Sequence, residues 1–286
     1  MRVMIAAVLF GVCVTMMGAQ ERVQGLSRAR NERQYVGFDR NEYPGDAALA
    51  VLRRHFSFVG YWLTNPPGET ANSWLGKREA LVKQGFGFVV LANGREDAAI
   101  RKAQKTMRTS AKAVGESDAL EAVAAARREG FPLGTILFLD QEEGGRLLPE
   151  QAEYLLGWTE WVSGHGYRAG VYASGQPVSD GPGVTITTAE DIRMRVKERH
   201  LQEVTMWVYE DACPPSNGCR LAAPRLEASG TESAEVWQYA QSPRRKENTA
   251  ACAQTYAADG NCYVPELPGM HLDLSVARSA DPSRGR

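Results

Sequence analysis

The sequence carries no surplus of positive charge: 33 Lys and Arg stand against 34 Asp and Glu, a net charge of −1. A face that neutralises many phosphates leaves a basic excess, so nucleic-acid binding is disfavoured. Histidine is scarce. His55, His165, His200 and His271 form no H-x-H or H-x3-H pair, which argues against a metal-dependent deacetylase or phosphodiesterase. Beyond the first twenty residues no apolar stretch approaches the ~20 residues of a membrane span, so none is expected in the mature chain. The Gly-rich first turn of a nucleotide-binding sheet is also missing, and GFDRNEYPGD stands in its place. What remains is an ordinary globular composition, 43% hydrophobic and 23% charged over 286 residues. That length suits one large α/β domain or two small ones, and either can bury a core.

The N-terminus and the cysteines point the same way. Arg2 is followed by an apolar run from Val3 to about Gly18, with small residues at Gly18-Ala19. Residues 1–20 read as a signal peptide, with a buried N-terminal helix as the alternative, and a secreted or periplasmic location follows. Without Cys13 the chain keeps Cys213, Cys219, Cys252 and Cys262, in the loops CPPSNGC and CAQTYAADGNC. Four cysteines allow three connectivities, and the local pairs 213–219 and 252–262 are favoured here. A zinc site competes, but neither loop has C-x2-C spacing or a histidine.

Short apolar runs alternate with helical patterns along the rest of the chain. Strands are expected at 35–39, 56–63, 86–93, 133–140, 167–173, 203–210, 234–240 and 270–277. Helices are expected at 44–56, 73–84, 149–163 and 188–201, with two more in 97–129 broken near Gly115. Strands apolar on both faces and separated by helices argue a parallel sheet covered all round. Eight of them match an α/β fold of the (β/α)8 TIM-like type. It should be somewhat irregular, because the last two crossovers hold the cysteine loops and no convincing helix. The domain reading is a linker at 21–33, a barrel at 34–278 and a tail at 279–286.

Catalysis in such a barrel sits at the C-terminal strand ends. Those positions give Asp39, Tyr61 with Trp62, Asn93, Asp140 with Glu142, Tyr172, Trp207 with Tyr209, Gln238 and Asp273. Acidic pairs cleave glycosidic bonds, and aromatic faces stack on sugars. In F-L-D-Q-E, alternation points Asp140 and Glu142 the same way, roughly 6.5 Å apart at Cα. Two charges that close cannot both ionise freely, so one pKa should rise and supply a general acid. Glu142, nearer the loop, is the candidate acid. Asp140, deeper, is the candidate orienting group, and Glu143 alternates away as a solvated carboxylate. Acidic residues favour loops anyway, so the D-x-E alone says little. Asp39 and Asp273, expected to end the first and last strands as neighbours in a closed barrel, add to it. Carboxylates in such numbers cost free energy unless paired or used. Trp207, Trp237 and Tyr172 fit core packing as well as sugar platforms.

The set GFD (37–39), FVGYWL (58–63), GFGFVVLANG (85–94), the run 118–140 ending in LGTILFLD, GYRAGVYAS (166–174), WQYAQ (237–241) and HLDLSVA (271–277) spans nearly the whole mature chain. In order and spacing it resembles the glycoside-hydrolase-like barrel domain of secreted bacterial proteins, formerly a domain of unknown function and related to the family 25 lysozymes. The lysozyme pattern falls on Asp39, Asp140 and Glu142, Gly170-Val171-Tyr172, Trp237-Gln238-Tyr239 and Asp273-Leu274-Ser275-Val276. Where the lysozymes follow the first Asp with a Ser and a Gln-containing turn, this chain has Arg40-Asn41-Glu42. Many of the glycoside-hydrolase-like group lack the second carboxylate, whereas this chain keeps Glu142. The resemblance implies a secreted hydrolase of an N-acetylated glycan such as peptidoglycan. Glu142, Asp140 and Asp39 would be catalytic, Asp273, Tyr61, Tyr172, Trp207 and Gln238 would bind substrate, and no metal or cofactor is needed. A non-catalytic carbohydrate-binding barrel of the cell envelope is the alternative.

Overall fold

The computed structural model describes residues 33–286, so the expected signal peptide and all but the end of the linker lie outside the described residues. Five parallel strands open the fold: β1 (Tyr35–Asp39), β2 (Phe58–Trp62), β3 (Gly87–Asn93), β4 (Ile136–Asp140) and β5 (Arg168–Ser174). A small antiparallel hairpin, β6 (Val178–Gly181) and β7 (Val184–Ile186), stands outside the barrel in a segment expected to be loop. Then β8 (Thr205–Tyr209) and β9 (Ala234–Ala240) continue the parallel sheet. The last strand, β10 (Asp273–Ala277), closes it in the order β1-β10-β9-β8-β5-β4-β3-β2. The expected eight-stranded barrel is therefore present.

One feature departs from a parallel barrel. β10 runs antiparallel to both β9 and β1. A parallel return must carry the chain down the outside of the barrel, usually on a helix. Between Ala240 and Asp273 there is only the four-residue helix Lys246–Thr249 and a short 3-10 stretch. The chain stays at the upper rim and enters β10 from there. Asp273 therefore begins its strand instead of ending it, yet it still pairs in register with Asp39.

The longer helices cover the outside: α1 (Leu49–His55), α2 (Arg78–Gln84), α3 (Asp97–Met107), α4 (Ala111–Arg128), α5 (Pro149–Gly164) and α6 (Thr188–Glu198). Ser110 caps α4 by accepting from the Ala113 amide at 3.2 Å. The break expected near Gly115 falls instead at Arg108, which ends α3 in a left-handed conformation. Gly115 sits inside α4 for a different reason. A Cβ there would lie 2.0 Å from the Tyr154 carbonyl oxygen, so the glycine lets α4 and α5 touch backbone to backbone. Below the barrel the expected tail is docked. Ser283 is fully buried, donates its amide to the Phe88 carbonyl, and accepts from the Ile136 amide, both at 2.8 Å. Among the described residues no helix is long and apolar enough to cross a membrane.

All four expected cysteines form disulfides, but the favoured local pairing is wrong. The bonds join Cys213 to Cys252 and Cys219 to Cys262. The β8–β9 and β9–β10 crossovers lie on one another at the upper rim. The Cys213 amide donates to the Asn248 carbonyl at 2.8 Å and the Cys219 amide to Thr255 Oγ1 at 3.0 Å. Each thiol therefore meets one from the other loop before its sequence neighbour.

Candidate active site

Asp39 closes β1, Asp273 opens β10, Asp140 closes β4, and Glu142 follows two residues later in the loop. All four line one small cavity of about 140 Å³ at the upper rim, together with Trp62, Tyr172, Trp207 and Gln238. The backbone makes room for the first of them: a Cβ on Gly60 of the neighbouring strand would lie 2.4 Å from the Asp39 Cβ. A chain of hydrogen bonds then fixes Asp39. Gln241 Nε2 donates to the Tyr172 hydroxyl at 3.0 Å, and that hydroxyl donates to Gln238 Oε1 at 2.7 Å. Gln238 Nε2 donates in turn to both Asp39 oxygens, at 3.1 and 3.3 Å. On β10, the strand between β1 and β9, Asp273 Oδ1 accepts from the Ser242 amide at 2.5 Å.

Asp140 and Trp207 are held differently. Asp140 is 5% exposed, and its Oδ1 is buried without a hydrogen-bond partner. The indole Nε1 of Trp207 is likewise buried and unpartnered. Orphaned polar groups are rare in folded proteins because leaving one unmade costs ~1–3 kcal/mol. An acceptor and a donor orphaned beside the same cavity suit a ligand that carries both complements.

Burial governs the ionisation of this group. It pushes Asp39 up to about 7, against the hydrogen bond from Gln238 and with the charge of Glu142 adding to it. Asp140 is raised well above the ordinary carboxyl range, by burial first and then by Glu142 and Asp39. Asp273 is raised by burial and by Asp39, with the Ser242 amide opposing. Glu142 is exposed at the mouth as a residue, but loss of water around its carboxyl raises it too, with Arg245 opposing and Glu96 adding. Desolvation thus exceeds the mutual repulsion expected from the D-x-E spacing. Asp39 thus holds its proton close to neutral pH, and burial shifts the other three toward the protonated form, the direction that general-acid chemistry needs.

Of the expected residues, Tyr61 is not brought to the cavity. It is fully buried against Trp74, Phe88 and Phe131 and donates its hydroxyl to Glu129. Strand alternation turns Tyr61 outward under the helices and Trp62 inward. Glu143 is neither turned away nor a free surface carboxylate: it lines a neighbouring cleft together with Asp140 and Glu142. It accepts from the Asp97 amide at 2.7 Å at the start of α3 and from Gln151 Nε2. Sequence reading missed Gln241, three residues after Gln238 in W-Q-Y-A-Q, and Arg245. Arg245 donates through Nε and Nη2 to the fully buried Asp211, and its guanidinium carbon lies 5.2 Å from the Tyr209 ring centre. The Tyr209 hydroxyl donates to the Glu142 carbonyl at 3.0 Å. No signal in the sequence ties Arg245 to this rim. Among the described residues no group of three or more His, Cys, Asp or Glu is arranged to hold a metal ion.

Known structures share this fold. A crystal structure of an uncharacterized B. stearothermophilus protein matches with a TM-score of 0.55 at 21% identity, over 85% of this chain and 95% of that one. The Clostridium perfringens spore cortex lytic enzyme SleM matches with a TM-score of 0.50 at 11% identity, over 87% of this chain and 69% of that one. The Mycobacterium tuberculosis Tat-secreted protein Rv2525c, crystallised in complex with HEPES, gives a TM-score of 0.49 at 13% identity, over 89% and 98%. No curated protein sequence matches. A family model described as "Rv2525c-like, glycoside hydrolase-like domain" matches residues 50–211. That span covers more than half of the 286 residues, and the chain belongs to the Rv2525c-like glycoside hydrolase-like family.

Proposed function

We propose that this chain is an exported glycoside hydrolase that cleaves an N-acetylated glycan, with peptidoglycan as the substrate. The observation that carries the reading is the D-x-E at the cavity: Asp140 with an orphaned acceptor inside, Glu142 at the mouth. An acetamido N–H is the complement of Asp140 Oδ1. Held there, the acetamido carbonyl oxygen attacks C1 of its own sugar as the glycosidic C1–O bond breaks. Glu142 gives its proton to the departing oxygen, and as carboxylate it then takes a proton from the water that opens the cyclic intermediate. Asp39, braced by Gln238 and Tyr172, and Asp273 hold the sugar and keep the cluster partly protonated. No cofactor enters this scheme.

Export is part of the proposal. Two disulfides persist where the surroundings are oxidising, and the segment 1–20 is read as the signal that directs the chain there. The functional domain is taken as 34–278, preceded by the linker. A reducing-end assay on purified peptidoglycan tests the reading. Wild type should release reducing ends, and Glu142→Gln should lower the rate by at least about a hundredfold, the ordinary weight of a general acid. A wild type that releases nothing yet binds the glycan as well as Glu142→Gln would replace the enzyme with a carbohydrate-binding barrel.

A further inference from the structure

A second, larger cleft of about 510 Å³ opens beside the cavity and shares Asp140 and Glu142 with it. Its wall runs over the start of α3 and the exposed edge of α4. The lining is strongly acidic. Glu96 and Glu121 are exposed, and neither carboxylate makes a hydrogen bond or salt bridge with the described residues, although Glu121 lies within the field of Arg95. Arg95, the one cation among the described lining residues, is already neutralised. It donates to both oxygens of Asp118 at 2.6 and 2.8 Å, and Tyr154 donates to the same carboxylate at 2.9 Å.

A cluster of carboxylates alone names no ligand. The second observation is Gln141, the residue between the catalytic pair. It is 1% exposed, lines this cleft, and its Oε1 is buried with no hydrogen-bond partner. An unmet acceptor at the base and unmet anions at the lip ask for the same partner, a positively charged hydrogen-bond donor. The acceptors are spread along the cleft and do not converge as a metal site requires, and no such group of ligands is found among the described residues. A cleft in which carboxylates outnumber cations also concentrates counter-charged ligands.

We propose that this cleft binds a protonated primary amine carried by the glycan substrate, next to the unit held at the D-x-E. This rests on the glycan reading above. The amine has two sources of equal chemistry: the free 2-amino group of a de-N-acetylated hexosamine, or the side-chain amine of a diamino acid in a peptide attached to the glycan.

Calorimetry on the full chain separates them. Four probes are titrated: an N-acetylglucosamine oligomer with one unit de-N-acetylated, its fully acetylated twin, a muropeptide with a free diamino-acid amine, and the same muropeptide N-acetylated on that amine. One free-amine probe should bind at least tenfold tighter than its acetylated twin at pH 6 and low salt, and which pair shows the gap names the source. The gap should close in Glu96→Gln/Glu121→Gln, whose two sites are exposed and whose fold should be intact. Equal affinities within both pairs would overturn the proposal, and so would a gap that survives the double substitution. Reducing-end release by wild type is measured separately. A chain that cleaves peptidoglycan yet ignores the amine refutes only this inference, and one that prefers the amine without cleaving refutes only the hydrolase.

Discussion

Replacing Asp39 by Asn should stabilise the protein in a pH-dependent way. Asp39 is 8% exposed, and its carboxyl is raised from 3.8 to about 7 in the folded chain, chiefly by burial. A raised acid binds its proton more tightly folded than unfolded. Between pH 4 and 7 the native state therefore holds a proton that the unfolded state has released, and stability falls as pH climbs through that window. Above pH 7 both states are ionised and the penalty is constant. Three units at 1.36 kcal/mol each give ~4 kcal/mol as the upper figure, reduced where protons on Asp140 or Asp273 relieve the field. Asparagine keeps the shape and still offers Oδ1 to Gln238 Nε2, but it has no charge to bury. Urea unfolding at pH 4 and pH 8 checks this. The Asp39→Asn protein should match wild type within about 1 kcal/mol at pH 4 and exceed it by a few kcal/mol at pH 8. A difference between the two proteins that is the same at both pH values would refute the reasoning.

Arg245→Gln should cost ~3–5 kcal/mol, because Asp211 is left fully buried without its ion partner, and adding Asp211→Asn should recover most of that loss. The same change removes a cation that lowers Glu142, so under the proposed hydrolase function the basic limb of the activity profile should move to higher pH. A limb that stays put would detach Arg245 from the site. Gly115→Ala should destabilise by ~1–3 kcal/mol in thermal melts despite alanine's better helix propensity, since its Cβ meets the Tyr154 carbonyl at 2.0 Å. A neutral or stabilising result would mean that α4 and α5 can part. Non-reducing peptide mapping should link Cys213 to Cys252 and Cys219 to Cys262. Loops of 39 and 43 residues predict roughly 4 kcal/mol of loop-closure stabilisation each, so reduction should lower the urea midpoint clearly.

The parts of this fold that were legible in the sequence are those set by local periodicity. The strands that carry Asp39, Asp140 and Tyr172 announce themselves as apolar runs ending in a polar residue, and their rim follows from barrel geometry alone. The parts that were not legible depend on contacts between segments far apart in the chain. The antiparallel course of β10 is fixed by how the 240–273 connection packs, and 3.6-residue and 2-residue periods do not report that. Asp273 lies at the expected rim although its strand runs the other way, because an antiparallel strand brings its first residue to the end where a parallel one brings its last. The cysteine pairing is illegible for the same reason: spacing along the chain favours 213 with 219, whereas two crossovers stacked at one rim favour the exchange. Gly115 reads as a helix breaker in sequence and acts as a close-contact residue in space.

Four carboxyls around a cavity of about 140 Å³ work against the stability of their own barrel at neutral pH. The surrounding structure is arranged to keep them there. Gln238, Tyr172 and Gln241 form a hydrogen-bond chain that holds Asp39 from behind, and the Ser242 amide holds Asp273. Ser242 and Arg245 ride on the β9–β10 crossover, which two disulfides fasten to the crossover carrying Asp211. A helix would normally brace each of these connections from outside. Here the connections stay at the rim and are cross-linked to each other, which places their side chains beside the acidic cluster instead of along the barrel wall. The irregularity of the last third of the barrel and the construction of the acidic site are therefore one structural fact.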